Sequence, residues 1–119
     1  MMRLEKIFCC AIELTMFKVD LYVGLQSENY FTYSEHEVLN YILDFAEKSE
    51  INVTIVNAKG VYTSLNKTTF LENSLIISSI SSNEADYFTL LQLGSLFKQH
   101  FNQESVLISK TNLKHFHYI

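Results

Sequence analysis

Four side chains stand out by type and spacing: Asp20, Tyr22, Tyr62 and Glu104. Asp20 and Glu104 lie near opposite ends of segments that read as neighbouring strands. Two carboxylates so placed can divide general acid and general base work. Tyr22 follows Asp20 by two residues, so on an extended chain the ring and the carboxylate share one face. His115-Phe116-His117 puts two imidazoles on one side of an extended tail, but no third or fourth ligand is in sequence reach. The adjacent Cys9 and Cys10 are too strained a pair for a structural disulfide and have no further ligands nearby. No metal site and no cofactor is expected. No phosphate-cradling glycine loop, nucleophile elbow or metalloprotease helix is present.

The elements that must hold these residues follow from periodicity. Phe17, Val19, Leu21, Val23 and Leu25 alternate with Lys18, Asp20, Tyr22 and Gly24. That pattern predicts a half-buried strand. Ser34-Glu-His-Glu37 is a capping box. Behind it Val38, Leu39, Ile42, Phe45 and Ala46 recur at helical spacing to about Lys48. Residues 51–55 alternate as a second strand. Asn57 to Gly60 reads as a turn or bulge, with 61–65 returning as a further strand, unless 51–65 is one bent strand. Residues 66–73 read as a polar loop and 74–80 as a β-branched strand. Ser81 to Asn83 supply helix caps, and Glu84 and Asp86 suit the first turn. This helix runs to about Phe101 with apolar residues on more than one stripe. Gly94 at its middle predicts a close backbone approach. Residues 104–109 form the last strand.

The order implies an α+β fold, a ferredoxin-like sandwich with a mainly antiparallel sheet and two helices on one face. Residues 1–15 read as an N-terminal extension and 16–119 as one domain.

Composition narrows the function classes. The chain has 119 residues, 48% hydrophobic and 18% charged, with a net charge of −4. Disorder is excluded, and direct nucleic-acid binding, which needs clustered Lys and Arg, is not expected. No apolar run is long enough to span a membrane. Arg3, Lys6 and the short run from Ile7 to Ile12 fall short of a signal peptide because Glu5 and Glu13 interrupt them. Cytoplasmic location is the expectation. Eight Lys against one Arg, with many Asn, Ile, Phe and Tyr, suits a low-GC bacterium or its phage.

Leu21-Tyr22-Val23-Gly24, Gly60-Val61-Tyr62, Glu72-Asn73-Ser74 and Phe101-Asn-Gln-Glu-Ser-Val-Leu107 occur in that order. Together they resemble a family of small uncharacterised bacterial proteins, a domain of unknown function, over roughly residues 17–110. The resemblance implies the ferredoxin-like fold. It assigns no activity. Tyr62 stands where that pattern has tryptophan, and Cys9-Cys10 lies outside it. The sandwich is also similar to small signal-transduction subunits and dimeric α/β-barrel proteins, which oligomerise through the sheet.

The sheet face away from the helices is expected to carry Lys18, Asp20, Tyr22, Thr54, Val56, Tyr62, Ser64, Leu107 and Ser109, neither fully polar nor fully apolar. Such a face suits a partner. The expected function is therefore a non-enzymatic, homo-oligomeric binding or regulatory module. It would recognise a protein or small ligand through Asp20, Tyr22, Tyr62 and Glu104, with no catalytic residue assigned. Two alternatives stand beside it: a small acidic phage-type inhibitor of a host defence or nucleic-acid-handling protein, and a small enzyme of the dimeric α/β-barrel kind. The balance leans away from an enzyme.

Overall fold

The alternation beginning at Phe17 does form a strand, β1 (Met16–Gly24), with its apolar side chains buried and its polar ones turned outward. In this computed structural model the described residues are 15–26, 31–63 and 66–119, and the side chains of Tyr62 and Phe70 lie outside the description. Residues 1–14, with Cys9 and Cys10, and Ser64 also lie outside it.

Chain order after β1 is α1 (Glu35–Ser49), β2 (Thr54–Thr63), β3 (Thr69–Ser81), α2 (Glu84–His100) and β4 (Leu107–Leu113). The strands form one antiparallel sheet in the order β2-β3-β1-β4. Both βαβ crossovers place their helices on the same face, which is the ferredoxin-like arrangement. The α+β expectation holds.

Local chemistry sets the helix ends. Ser34 is extended, and its hydroxyl accepts the Glu37 amide at 3.1 Å, satisfying one of the donors left unpaired at a helix start. Asn83 does the same for α2 through the Ala85 amide. Glu35 and Glu37 in the first turn of α1, and Glu84 and Asp86 in that of α2, complement the positive end of each helix dipole. α2 ends in a Schellman turn. Asn102 takes a left-handed φ of 49°, which asparagine tolerates, and the Gln103 amide returns to the Lys98 carbonyl at 2.9 Å.

One core joins sheet and helices. Val19, Leu21, Val23, Leu75 and Ile77 meet Val38 and Ile42 of α1 and Leu90, Leu93 and Phe97 of α2. Gly94 lets α2 come down on the sheet, because a Cβ there would lie 3.1 Å from Leu21 Cδ1. The expected close approach is present. The second apolar stripe of α2 remains exposed at Phe88 and Leu96.

Several strand boundaries differ from expectation, among them a β2 that begins at Thr54 rather than residue 51 and a β4 that runs on to Leu113. Asn57 to Gly60 is not a turn but the middle of β2, paired in regular register with Glu72 to Leu75, so the single-strand alternative for this stretch holds over Thr54–Thr63. Residues 69–73 are strand rather than loop, for the same reason: each has a cross-strand partner that satisfies its backbone. The last strand begins at Leu107 instead of Glu104, because the Schellman turn occupies the preceding residues. The result is a long β2–β3 hairpin. β1 pairs with β3 only from Ser74 to Ser81, so residues 69–73 and their β2 partners project past the body as a two-stranded arm.

Candidate functional site

The open sheet face is layered by register. Thr54, Ser78, Asp20 and Ser109 lie in one row across all four strands, and Val56, Ile76, Tyr22 and Leu107 in the next. The first row is polar and the second apolar. Tyr22 is 39% exposed and Leu107 62%. The following row, Ala58, Ser74 and Gly24, has only small side chains. Beyond it Glu72 pairs with Gly60 at the base of the arm.

Glu72 leans back over the small row. A Cβ on Gly24 would meet its carboxylate oxygen at 2.7 Å, so only glycine leaves room for it. The Gln26 amide donates to Glu72 Oε2 at 3.2 Å. Half-burial pushes the carboxyl above its ordinary value of 4.5, and the Gln26 bond opposes that rise. None of the ion pairs among the described residues includes Glu72. A partly desolvated carboxylate over a row of small side chains and next to an apolar row is the most chemically poised group on the face.

Gln26 is held from both sides. While its amide bonds Glu72, its carbonyl accepts Gln103 Nε2 at 3.0 Å, and the same nitrogen donates to the Phe101 carbonyl at 3.2 Å. Gln103 is 8% exposed. The chain also closes around Gln26 through the Leu25 amide to the Asn73 carbonyl, 3.1 Å, and the Tyr33 amide to the Leu25 carbonyl, 2.8 Å.

The residues expected from sequence fall as follows. Asp20 and Tyr22 share the open face, as expected. Asp20 is not free: Ser78 Oγ donates to it, and Lys18 Nζ lies 3.7 Å away. Tyr62 pairs with Phe70 through its backbone in the arm, and its side chain is outside the description. Glu104 is exposed on the turn before β4 and makes no hydrogen bond or ion pair among the described residues. The side chain that bonds backbone at this turn is that of its buried neighbour Gln103. Asp20 and Glu104 share no hydrogen bond among the described residues. His117 Nδ1 lies 2.9 Å from the Phe116 carbonyl, and no group of three or more metal-ligating side chains occurs among the described residues. No helix among them is long and apolar enough to cross a membrane.

Sequence reasoning noted the segment Glu72-Asn73-Ser74 but did not select Glu72. The signal was there in one respect: Gly24 ends the best strand in the chain, and a glycine ending a strand marks a close approach. What approaches it depends on the β1–β3 register.

Neither a family model nor a curated protein matches this chain. Solved structures do. A phage S-adenosylmethionine (SAM) lyase in complex with S-methyl-5′-thioadenosine is 26% identical, with a TM-score of 0.66, over 81% of this chain and 80% of that one. A phage SAM lyase in the apo state is 25% identical, with a TM-score of 0.68, over 85% and 83%. This likeness corrects two expectations from the sequence. A non-enzymatic binding module is overturned, and so is the leaning away from an enzyme, because the similar chains are enzymes and the likeness covers at least four fifths of each.

Proposed function

We propose that this chain is a small SAM-degrading lyase that releases S-methyl-5′-thioadenosine. The observation that carries the reading is the likeness to phage SAM lyases, one of them bound to that thioether, across more than four fifths of this chain.

The chemistry fits what the open face offers. Release of S-methyl-5′-thioadenosine breaks the bond between sulfur and the γ-carbon of the amino acid part. The electron pair goes to sulfur, and the sulfonium becomes a neutral thioether. A lyase adds no water, so the γ-carbon needs a nucleophile from within the substrate. The substrate's own carboxylate reaches it in a five-membered ring, giving homoserine lactone with atoms and charge balanced. A cationic sulfur and an anionic carboxylate cancel in that step. Charge that disappears in the transition state favours a poorly hydrated setting, and the apolar row of Val56, Ile76, Tyr22 and Leu107 offers fewer groups to hold water there than the polar row beside it.

No protein group has to donate or accept a proton in this step. The task of the chain is to bind and orient. Glu72 receives the substrate ammonium in a charge-assisted hydrogen bond, Gly24 and Ser74 leave space for the aminobutyrate, and Tyr22 offers its ring to the adenine or the sulfonium. The net charge of −4 favours encounter with a cation. The phage-type alternative survives in altered form, as an enzyme that removes a metabolite instead of a protein that blocks a partner. The expected homo-oligomer stays part of the proposal, supported by the exposed Val56, Leu107, Val61 and Leu71. Light scattering showing a strict monomer at high concentration removes it.

The test is incubation of the purified chain with SAM, followed by chromatography and mass spectrometry. Equimolar S-methyl-5′-thioadenosine and homoserine lactone are expected. Intact SAM, or cleavage at another bond, overturns the reading.

A further inference from the structure

Gln103 is an amide with almost no access to solvent, placed in a turn that needs no such side chain to form. The Schellman turn closes through backbone groups alone, the Gln103 amide to the Lys98 carbonyl. The side chain instead reaches across 77 residues of sequence to the Gln26 carbonyl. Gln26 in turn spans 46 residues to Glu72 through its amide. Three elements that are distant in sequence therefore meet at one residue: the end of β1, the base of the arm and the turn after α2.

We propose that Gln103 is a positioning residue: by bonding the Gln26 carbonyl it fixes the Gln26 amide as the donor that holds the Glu72 carboxylate over Gly24. The activity consequence rests on the reading of this corner as the SAM site; the positioning itself does not. The Gln26 amide shares its peptide unit with the Leu25 carbonyl, which accepts from Tyr33, and the next unit is held by Gln103 at the Gln26 carbonyl; with both units bonded, φ and ψ of Gln26 are restrained and its amide stays directed at Glu72.

Few other groups compete for Glu72. At the end of β1 and just past it Glu72 meets Gly24 and Gln26, neither of them charged, and across on β2 it pairs with Gly60. Lys59, next to Gly60, points to the other sheet face by alternation and donates to Asn73 Oδ1 at 2.9 Å. The Gln26 amide is thus the donor through which a change at residue 103 is transmitted to the carboxylate.

The test uses the full chain with Gln103→Met, which keeps the length and volume but removes the donor, and Gln103→Asn, which keeps an amide with a shorter reach. Two readouts need no substrate: the hydrogen-exchange rate of the Gln26 amide and the titration midpoint of the Glu72 carboxyl by carbon NMR. In Gln103→Met the Gln26 amide is expected to exchange about tenfold faster or more. The Glu72 midpoint is expected to move upward by about half a unit, because a donor to its charged form is weakened. Gln103→Asn gives smaller shifts of the same sign and carries the test should the Met variant not fold. In SAM turnover, kcat/KM is expected to fall about tenfold, with the thermal midpoint little changed. A folded variant in which either the Gln26 exchange rate or the Glu72 midpoint stays at its wild-type value overturns the proposal. If the wild-type chain forms no S-methyl-5′-thioadenosine, the SAM reading fails, and the two NMR readouts still decide the role of Gln103.

Discussion

Two carboxylates share the open face of one sheet, and they are treated differently. Asp20 sits mid-sheet in a polar row. Ser78 and Lys18 answer its charge, and Thr54 and Ser109 complete the row. Glu72 sits where the sheet narrows to a two-stranded arm, over a glycine, and among the described residues it has one backbone donor and no cation. The sheet satisfies Asp20 and leaves Glu72 with capacity to spare. A carboxylate whose partners are already in the fold contributes to folding. One that is partly stripped of water and underpartnered is ready for a cation from outside.

Removing the charge at the arm gives the largest effect. Glu72→Gln should lower kcat/KM for SAM by about 100-fold, while urea unfolding at neutral pH shows a protein at least as stable as wild type. The sign follows from the direction of the shift. Glu72 titrates above its ordinary 4.5 in the fold, so the folded state favours its protonated form. The stability linked to that proton is complete below the unfolded value and is lost as pH rises through the folded one. The advantage of Glu72→Gln should therefore be absent below about pH 4 and grow across the pH range just above 4.5. An advantage that grew on acidification would contradict the burial argument.

Gly24→Ala comes next. Its Cβ enters the space of the Glu72 carboxylate at 2.7 Å, and the flexible side chain must swing away. Turnover should fall about tenfold, as expected for a displaced binding group. Wild-type turnover in this variant would show that the position of Glu72 over Gly24 does not matter.

Asp20→Asn reverses the pattern. It takes the charge out of the hydrogen bond with Ser78, which an amide oxygen still accepts, and should cost about 1 kcal/mol in unfolding free energy, with SAM turnover within about twofold of wild type. A large loss of turnover with normal stability would move the functional site to mid-sheet. The smallest effect is expected from Lys18→Met, within about 0.5 kcal/mol, because an ion pair this exposed is well screened.

The same contrast explains what could be read from sequence. Asp20 and Tyr22 sit in a strictly alternating strand, and alternation alone puts them on the face away from Val19 and Leu21. The helix caps at Ser34 and Asn83 were legible because capping is local chemistry. The arm was not. Asn57 and Gly60 look like turn residues, and only the ladder with β3 keeps them extended. Glu72 and Gln103 were missed for a related reason. Each acquires its role through Gln26, at separations of 46 and 77 residues, and no local pattern encodes a contact of that span. Glu104 was chosen over Gln103 because charge draws attention in a sequence, whereas the turn after α2 turns the uncharged neighbour inward.

The central claim is that this chain breaks SAM without water, on the Glu72 side of the sheet. The most direct measurement is turnover of SAM by wild type and by Glu72→Gln in ¹⁸O-labelled water, with products followed by mass spectrometry. The account predicts S-methyl-5′-thioadenosine and unlabelled homoserine lactone from wild type, and a rate about 100-fold lower from the variant. Heavy oxygen in the four-carbon product at the moment of release, or equal rates from the two proteins, would contradict it.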